Sequence, residues 1–449
     1  MQPPSPESLA HIPAAPQAML FGNTFEIIKD PIAVYQKNKA RFGDVYRVKF
    51  LGEWRVSLTG ADALEFILMD PDKLFSSEHG WNTLEDLFPR GLMLLDFDEH
   101  RAHRRIMQAA FRKPAMDSYL EMMAPALDQM VAGWPAGETF AFYPAIKDLT
   151  LRMGANVFMG LPVGAPETAD LNRAFVEEIA ATLALLRTAL PMTKYRRGMD
   201  ARRRLIGTFA GLIEARRGGH GEDFFSRMCR AQDEDGTSWT DEEIVDHFNF
   251  LMMAAHDTTA SALTAMIWAL SEHPDWQERL AREVDDLGDG PFEPEMLDRM
   301  PATDMVFREA LRMMPPVPLI PRRAVRDFEW KGVKVPAGSS VTGQVGAIMM
   351  SPDYYTDPQV FDPERFSPNR AEDRSHKFAW APFGGGAHKC IGLHFSSMQV
   401  KAFLRALLRR YRIAPAGSAP VEWKRLPIPQ PKGGLPVVLT RREGARAAA

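Results

Sequence analysis

The sequence predicts a mainly α protein with a minor β part, in the α+β class. Between about residues 99 and 310, apolar residues recur three and four positions apart, as in helices that bury one face. Strand-like runs such as VYRVKF and WRVSLTG lie near the N-terminus, and short strands and a final helix follow the helical region. The sequence contains neither a P-loop nor the glycine pattern of dinucleotide-binding folds. We predict a single domain over residues 1–449, with residues 1–20 and 442–449 mobile.

The composition indicates a globular protein with a sizeable core. Hydrophobic residues make up 45% of the chain and charged residues 25%, and the formal net charge is -4 without a long run of one sign. This charge pattern argues against a nucleic-acid partner. A transmembrane span of roughly 18 uninterrupted apolar residues is absent from the sequence, and the N-terminus does not resemble a secretory signal. We therefore expect a cytoplasmic protein without a transmembrane anchor.

The longest predicted helix begins near Thr240 and ends near Glu272. Thr240 and Glu243 have the spacing of a capping box, in which each side chain bonds the backbone N–H of the other residue. The middle of the helix is apolar nearly all round, so we expect it to be buried. Asp257 and Thr258 interrupt this apolar run, and a buried carboxylate is costly unless it is paired. A capped local kink and a functional site both remain open as explanations.

The chain has only two cysteines, Cys229 and Cys390, too few for a disulfide framework. Cys390 follows three glycines in FGGGAHKCIG and precedes a predicted amphipathic helix over residues 391–412. A helix N-terminus lowers the pKa of a thiol and favours the thiolate, which is one of the axial ligands of haem iron. The glycines allow the backbone to curl round a bulky neighbour of the sulfur. A buried structural cysteine is the alternative.

The segment FGGGAHKCIG closely resembles the haem-binding signature of the cytochrome P450 family. Phe383, Gly386, Cys390 and Gly392 match its Phe-x-x-Gly-x-x-x-Cys-x-Gly pattern. The other motifs of the family follow the same order over nearly the whole chain. The resemblance implies a cytochrome P450 fold, with haem b (iron protoporphyrin IX) between the long central helix and the helix of the cysteine loop. It also implies that Cys390 is the axial ligand of the iron.

Two further motifs of the family concern support and proton transfer. The segment FREALR contains the pair Glu309 and Arg312, and FDPERF contains Arg365, which by resemblance joins that pair. The resemblance implies that these three residues support the haem pocket without doing chemistry. The segment AAHDTT resembles the Ala-Gly-x-(Asp/Glu)-Thr-Thr motif, which implies that Asp257 and Thr258 relay protons to dioxygen.

The resemblance also implies cationic partners for the two haem propionates. His100 and Arg104 match a His-x-x-x-Arg motif on an early helix. Arg322 follows the helix of the Glu–Arg pair, with Arg323 as a possible substitute. His388, two positions before the cysteine, completes the predicted set.

The residues that we expect to line a substrate pocket are apolar, namely Ala254, Ala255, Val317, Leu319 and Ile320. They indicate a lipophilic substrate that is terpenoid, steroid or fatty-acid-like, because PMTKYRRGMDARRRL is similar to the sterol-demethylase and retinoid-hydroxylase branch of the family. Ala255 stands where the family usually has glycine, which leaves the shape of the oxygen groove open.

The resemblance implies an oxidoreductase, a monooxygenase that inserts one atom of O₂ into its substrate. Electrons would come ultimately from NAD(P)H through a ferredoxin or flavodoxin with its reductase. A basic stripe predicted on the cysteine helix could help to dock that carrier, and it comprises Lys401, Arg405, Arg409 and Arg412. Two alternatives remain, a peroxygenase or isomerase on the same fold and a non-catalytic haem sensor. The acid–threonine pair argues against both.

Overall fold

The computed structural model describes residues 1–18, 21–182, 184 and 187–442. Helices dominate it and small sheets accompany them, which confirms the predicted α+β class. The helices are α1 (Thr24–Lys29), α2 (Pro31–Phe42), α3 (Ala61–Met69), α4 (Phe97–Gln108), α5 (Lys113–Ala132), α6 (Phe142–Met159), α7 (Pro166–Thr182), α8 (Lys194–Gly218), α9 (Phe224–Arg230), α10 (Asp241–Glu272), α11 (Pro274–Asp285), α12 (Pro301–Met313), α13 (Val345–Met349) and α14 (Leu393–Leu408). Among the described residues, no helix combines the length and the apolar character of a membrane span.

The strands form one mixed sheet and three smaller antiparallel ones. They are β1 (Val45–Phe50), β2 (Glu53–Leu58), β3 (Phe75–Ser76), β4 (Thr139–Ala141), β5 (Ile320–Ala324), β6 (Phe328–Trp330), β7 (Val333–Val335), β8 (Ser340–Gly343), β9 (Tyr411–Pro415), β10 (Trp423–Lys424), β11 (Gln430–Pro431) and β12 (Pro436–Arg441). The largest sheet has the order β1-β2-β8-β5-β3, in which β2 and β8 are parallel. In β5, Arg322 lies opposite Val341 and Arg323 opposite Ser340. Because side chains alternate along a strand, these two arginines point to opposite faces.

Helix α10 runs through the main core and carries the predicted capping box. Thr240 Oγ1 accepts a hydrogen bond from the Glu243 N–H at 3.3 Å, and Glu243 Oε2 accepts one from the Thr240 N–H at 2.8 Å. The helix ends at Glu272, just before His273 and Pro274. It packs against α6, α8 and α12, so that most of its middle is buried, as its apolar sequence predicts.

Part of the N-terminal segment packs against the core, while the mobility of residues 1–20 remains a prediction. Leu9 and Ile12 are each 1% exposed and belong to the core of the largest sheet. The backbone of residues 13–15 bonds to Arg47 on β1. The burial of two apolar side chains offsets the conformational freedom that the proline-rich sequence suggested. Residues 19 and 20 and residues 443–449 lie outside the described residues, and the single domain over residues 1–449 remains a prediction.

The helix after the cysteine is shorter than the predicted range of residues 391–412. It covers Leu393–Leu408, and Tyr411 begins strand β9 instead. Tyr411 is fully buried and lies opposite Arg441 on β12. Tyr411 fell on the apolar face of the predicted helix, so apolar periodicity alone could not distinguish a helix from a strand at this position. Pairing with β12, which is distant in sequence, decides the outcome.

The basic stripe predicted on α14 is not a free surface. Arg405 is 3% exposed and donates to the carbonyl oxygens of Gly288 and Gly290. Arg409 pairs with Asp289 at 2.8 Å. Lys401, at the same face, donates to a carbonyl oxygen of the segment that joins α11 to α12. These three cations therefore fasten a connecting segment to α14. Arg412, the fourth predicted member, lies on β9 and is 66% exposed, so the four residues do not form one stripe on α14.

A buried ion cluster lies where α12 meets the chain segment before the cysteine loop. Glu309 and Arg312 are 0% exposed and Arg365 is 1% exposed. Both oxygens of Glu309 accept from Arg312, at 2.6 and 2.9 Å, and Oε1 also accepts from Arg365 Nε at 3.1 Å. Arg365 reaches Glu372 and the carbonyl oxygen of Thr356, at 2.9 and 2.8 Å. Burial with full pairing distinguishes this cluster from an ordinary surface ion pair.

Aromatic residues connect this cluster to the cysteine loop. The Arg312 guanidinium lies 5.1 Å from the ring centroid of Tyr355, whose hydroxyl donates to the Ala379 carbonyl at 3.2 Å. Trp380, next along the chain, packs edge-on against Phe383 with ring centroids 5.9 Å apart. The cluster thus fixes the segment that leads into FGGGAHKCIG.

The cysteine loop itself lies directly against the end of α3. Gly386 has a φ of +62°, and a Cβ on it would lie 1.8 Å from the carbonyl oxygen of Leu68. A Cβ on Gly385 would lie 2.4 Å from the ring of Phe378. The loop is closed by a hydrogen bond of 2.9 Å from the Cys390 N–H to the Phe383 carbonyl. Glycine is required here by contact as well as by backbone conformation.

We expect Arg365→Leu to lower the free energy of unfolding by about 3–5 kcal/mol, because Glu309 would lose one of two buried cationic partners. Urea unfolding followed by circular dichroism measures this change. Arg152→Leu is the matched control, since Arg152 pairs with Asp148 on the surface of α6 at 2.7 Å. That variant should change stability by less than about 1 kcal/mol. Equal effects of the two substitutions would contradict a supporting role for the cluster.

We expect Gly386→Ala to destabilise the protein by more than about 3 kcal/mol, since the added methyl group meets backbone and the φ is unfavourable. Gly211→Ala is its control, because a Cβ at this exposed position in α8 has nothing within 4 Å. It should be neutral or stabilising by up to about 1 kcal/mol. Thermal unfolding of both variants makes the comparison, and a Gly386→Ala variant with unchanged stability would disprove the close approach.

Candidate active site

Cys390 lies on the cysteine loop near α4, close enough for the charge of Arg104 to act on its thiol. Its side chain is exposed, yet desolvation by the surrounding protein raises the pKa of the thiol. The backbone N–H of Gly392 and the Arg104 guanidinium act in the opposite direction and are weaker. The two observations agree if the accessible sulfur faces an enclosed space. A bound metal cation would deprotonate such a thiol outright.

The expectation that the helix dipole makes this thiol acidic is wrong for the chain alone. Helix α14 begins at Leu393, three residues after Cys390, and Gly392 is its N-cap. The dipole effect falls off within the first turn of a helix, so desolvation outweighs it at this distance. The local sequence indicated the N-terminus correctly but gave no measure of burial.

Four of the predicted propionate ligands meet beside the cysteine. His100 and Arg104 lie one turn apart on α4, and the His100 ring stacks on the His388 ring with centroids 3.8 Å apart. Arg322, 5% exposed, faces the same cluster from β5. Desolvation lowers the pKa of three of these side chains, and repulsion by neighbouring cations adds to the effect for the two histidines. The resulting pKa is about 4 for His100, about 2 for His388 and about 10 for Arg322.

We call His100, Arg104, Arg322 and His388 the cationic cluster; its charge comes from the two arginines, because the lowered pKa values keep both histidines neutral at pH 7. Among the residues the structure describes, neither Arg104 nor Arg322 has a carboxylate within 4.0 Å, and Arg322 donates only to the carbonyl of its neighbour Pro321. His100 Nδ1 is sealed from solvent without a hydrogen-bond partner. Asp96 and Asp70 act on Arg322 electrostatically but do not contact it, and a buried cation without a contacting anion is costly, so the cluster fits an anionic ligand.

Arg323, the possible substitute for Arg322, is engaged elsewhere. It pairs with Glu53 at 2.7 Å and donates to the carbonyl oxygen of Gly338 at 2.8 Å. The alternation of side chains along β5 turns it away from the cysteine. The geometry therefore favours Arg322.

On α10, Asp257 has a partner that the sequence did not reveal. Lys147 Nζ on α6 lies 2.9 Å from Asp257 Oδ1, and the carboxylate side chain is 16% exposed. Thr258 Oγ1 donates a hydrogen bond of 2.7 Å to the Ala254 carbonyl, one helical turn back. Asp257 does not cap a kink, because its contact is with another helix. No local motif around Lys147 could have indicated the pair.

The predicted pocket residues do not all come together. Ala254 packs with an apolar group that we call the distal cluster: Leu87, Phe88, Leu94, Ala181, Tyr195 and Phe250. Ala255 packs towards α6 and α14 instead, beside Thr150 and Phe395, and Leu319 packs near Tyr35 and Tyr46. Ile320 lies 3.8 Å from the Cβ position of Gly384 in the cysteine loop, while Val317 is half-buried.

Comparison with known proteins agrees with this geometry. The family model described as Cytochrome P450 matches residues 13–435. "Putative cytochrome P450 136" of Mycobacterium tuberculosis is 40% identical over 393 residues, covering 86% of this chain and 80% of the relative. "Abscisic acid 8'-hydroxylase 2" of Oryza sativa subsp. indica is 28% identical over 437 residues, covering 94% and 85%.

Solved structures give the same result. The chain titled "Retinoic acid bound cyanobacterial CYP120A1" superposes with a TM-score of 0.86 at 28% identity, covering 96% of this chain and 99% of that one. A curated relative, "Putative cytochrome P450 120" of Synechocystis, is 28% identical over 442 residues, covering 97% of this chain and 98% of the relative. The sequence match and the shared fold both cover nearly the full length. This chain therefore belongs to the cytochrome P450 family and is a monooxygenase of the oxidoreductase class.

Proposed function

We propose that the protein is a haem-thiolate monooxygenase that hydroxylates a lipophilic, terpenoid-like molecule, with Cys390 as the axial ligand of the iron. The observation that carries this proposal is an accessible but desolvated thiol beside a buried cationic cluster without an anion. Haem offers both missing partners, because its iron binds a thiolate and its two propionates are anions. When bound, haem with a thiolate ligand supplies the oxygen activation.

The residues present fit this cofactor. Cys390 would hold the iron through Sγ, while Arg104 and Arg322 would bind the propionates, with His100 Nδ1 and the stacked His388 as further polar partners. Phe383, Gly386 and Gly392 would shape the loop around the sulfur. The propionates would remove the mutual repulsion of the cations, so cofactor binding should also stabilise the fold.

The chain's own proton path begins at Asp257. Lys147, whose side chain is 31% exposed, holds the carboxylate near solvent at 2.9 Å. When Lys147 moves away, the carboxylate takes a proton from solvent. The adjacent Thr258 hydroxyl then passes a proton on towards Cys390. Thr258 donates to the Ala254 carbonyl in the resting arrangement, so its oxygen remains free to accept.

The distal cluster provides the apolar wall that a lipophilic substrate requires. Apolar and aromatic residues dominate it, and Ala254 connects it to the Thr258 side of α10. One structural relative is titled as bound to retinoic acid, and another relative is named as an abscisic acid hydroxylase. Both names denote terpenoid acids, which supports a terpenoid-like substrate here.

The electron donor is proposed to be a ferredoxin or flavodoxin with its reductase, using NAD(P)H in the cytoplasm. Since Arg405 of the predicted stripe is buried and Lys401 and Arg409 hold the segment between α11 and α12, we place docking at a cleft on the outer side of the cysteine loop. Lys377 and Lys389 line this cleft together with Trp380, Phe383 and Leu393. Lys377 is paired with Glu65, so Lys389, next to Cys390, is the cation of this cleft that we propose for an acidic carrier.

The haem-loaded, reduced protein should give, with carbon monoxide, the red-shifted Soret band of thiolate ligation. Cys390→His should keep haem but lose this band, whereas Cys229→Ala, which changes the other, buried cysteine, should retain it. Product formation from retinoic acid or abscisic acid with O₂, NADPH and a surrogate ferredoxin system is then measured. Turnover with hydrogen peroxide alone would favour a peroxygenase, and no turnover in either assay would favour a sensor.

We expect Thr258→Ala to uncouple electron use from product by about 10-fold, because the proton relay loses its second member. Product per NADPH consumed is the measurement, and the carbon monoxide spectrum should be unchanged. Thr264→Ala is the control, since Thr264 lies on the same helix and makes the same type of bond, to the Ala260 carbonyl at 2.6 Å. Full coupling in Thr258→Ala would place the relay elsewhere.

A further inference from the structure

A buried histidine lies next to Asp257, and the proton path described above does not use it. His256 is 4% exposed, and it lies between α6 and Asp257, the next residue on α10. Its Nδ1 is 2.9 Å from Thr150 Oγ1, and its Nε2 is 3.3 Å from Asp257 Oδ1. The ring therefore bridges a hydroxyl and the proposed relay acid.

The contact between Nε2 and Oδ1 requires a hydrogen atom between them. Both atoms are sealed from solvent, and Nε2 has no hydrogen-bond partner among the described residues. Lys147 Nζ lies 2.9 Å from the same oxygen and balances its charge without closing this gap. Two bare lone pairs that face each other in a buried site would be unfavourable.

Thr150 determines which atom carries this hydrogen. Its hydroxyl has one proton and two acceptors in reach, the Lys147 carbonyl at 3.0 Å and His256 Nδ1 at 2.9 Å. If Thr150 donates to Nδ1, the neutral ring carries its hydrogen on Nε2 and fills the gap. If Thr150 donates to the carbonyl, the gap needs an additional proton on either His256 or Asp257.

The charges around the ring oppose that additional proton. Desolvation lowers the pKa of His256 to about 4, while Asp257 raises it and Lys147 lowers it. The remaining titratable neighbour on α6, Tyr143, has its pKa raised by desolvation and by Asp257, so it is neutral. The neutral ring with hydrogen on Nε2 satisfies every group.

We propose that His256 is a positioning residue for Asp257: its Nε2–H holds Oδ1, so that the carboxylate exchanges protons through Oδ2. The inference rests on the proposed function, because it concerns the orientation of the relay acid. Lys147 and His256 both approach Oδ1, which leaves the other oxygen to the relay. Asp257 gains a proton at Oδ2 from solvent and loses it from Oδ2 to Thr258, and His256 neither gains nor loses one.

The hydrogen position is measured by ¹⁵N NMR of histidine-labelled holoprotein in the reduced, carbon monoxide-bound state, which is diamagnetic. The signal that disappears in His256→Gln identifies the residue. We expect hydrogen on Nε2 and none on Nδ1 at pH 7. Hydrogen on Nδ1, or on both nitrogens, would overturn the inference whatever the activity of the enzyme.

Two substitutions separate positioning from packing. Glutamine places an amide N–H near the position of Nε2, whereas asparagine places one near Nδ1. His256→Gln should keep O₂ consumption, driven by a surrogate ferredoxin system with retinoic acid present, within about 2-fold across pH 6–9. His256→Asn should lower O₂ consumption about 10-fold and change its pH profile. A loss of this size is seen when a residue that orients a ligand is removed.

His247→Asn is the control, because His247 is a buried histidine on the same helix that contacts His103 rather than Asp257. Its pH profile should match that of the unmodified protein. Equal losses in His256→Gln and His256→Asn would show that the ring only fills space. A protein without the thiolate band would refute the proposed function, whereas an intact band with equal losses refutes the positioning role alone.

Discussion

The close contact between the cysteine loop and the end of α3 constrains the rest of the site. Gly386 meets the Leu68 carbonyl so closely that no side chain would fit between them, and this contact fixes the position of the loop. The position of Cys390 follows from that of the loop. The Glu309–Arg312–Arg365 cluster holds the chain on the other side of the loop through Tyr355. The sulfur is thus located by backbone contact and by buried ion pairs, and the chemistry of the site requires no further positioning of the thiol.

Two groups of buried cations in this protein differ in one property, the presence of an anion. Arg312 and Arg365 share Glu309, so their cost of burial is offset within the chain. Arg104 and Arg322 have no such partner among the described residues, and the pKa of Arg322 falls to about 10 as a result of desolvation. The first arrangement is typical of structural support, and the second is typical of a binding site. The presence of an anionic partner, rather than the burial of the cation, distinguishes the supporting arginines from those of the binding site.

Residue spacing predicted the contacts that lie within about one helical turn. Contacts between distant segments were predicted only where the family motifs implied them, as for Arg365 with Glu309 and His100 with His388. The capping box of Thr240 and Glu243 and the pair Glu309–Arg312 follow from spacing of three residues. The contact of Lys147 with Asp257 and the burial of Arg405 depend on how helices pack, which no local pattern contains. The pKa of Cys390 shows the same division, since the sequence indicates the helix N-terminus but not the desolvation that outweighs it.

The position of Asp257 shows why fold and function share one helix here. A carboxylate in the apolar middle of α10 is costly without a partner, so the stability of the helix and the relay role that we propose for Asp257 both depend on the ion pair with Lys147 of α6. His256 and Thr150 add a second, uncharged contact between the same helices. An ion pair alone would fix the charge of Asp257 but leave its orientation free. A neutral donor at the same oxygen fixes orientation without adding charge, and α6 thereby becomes part of the site although it supplies no motif.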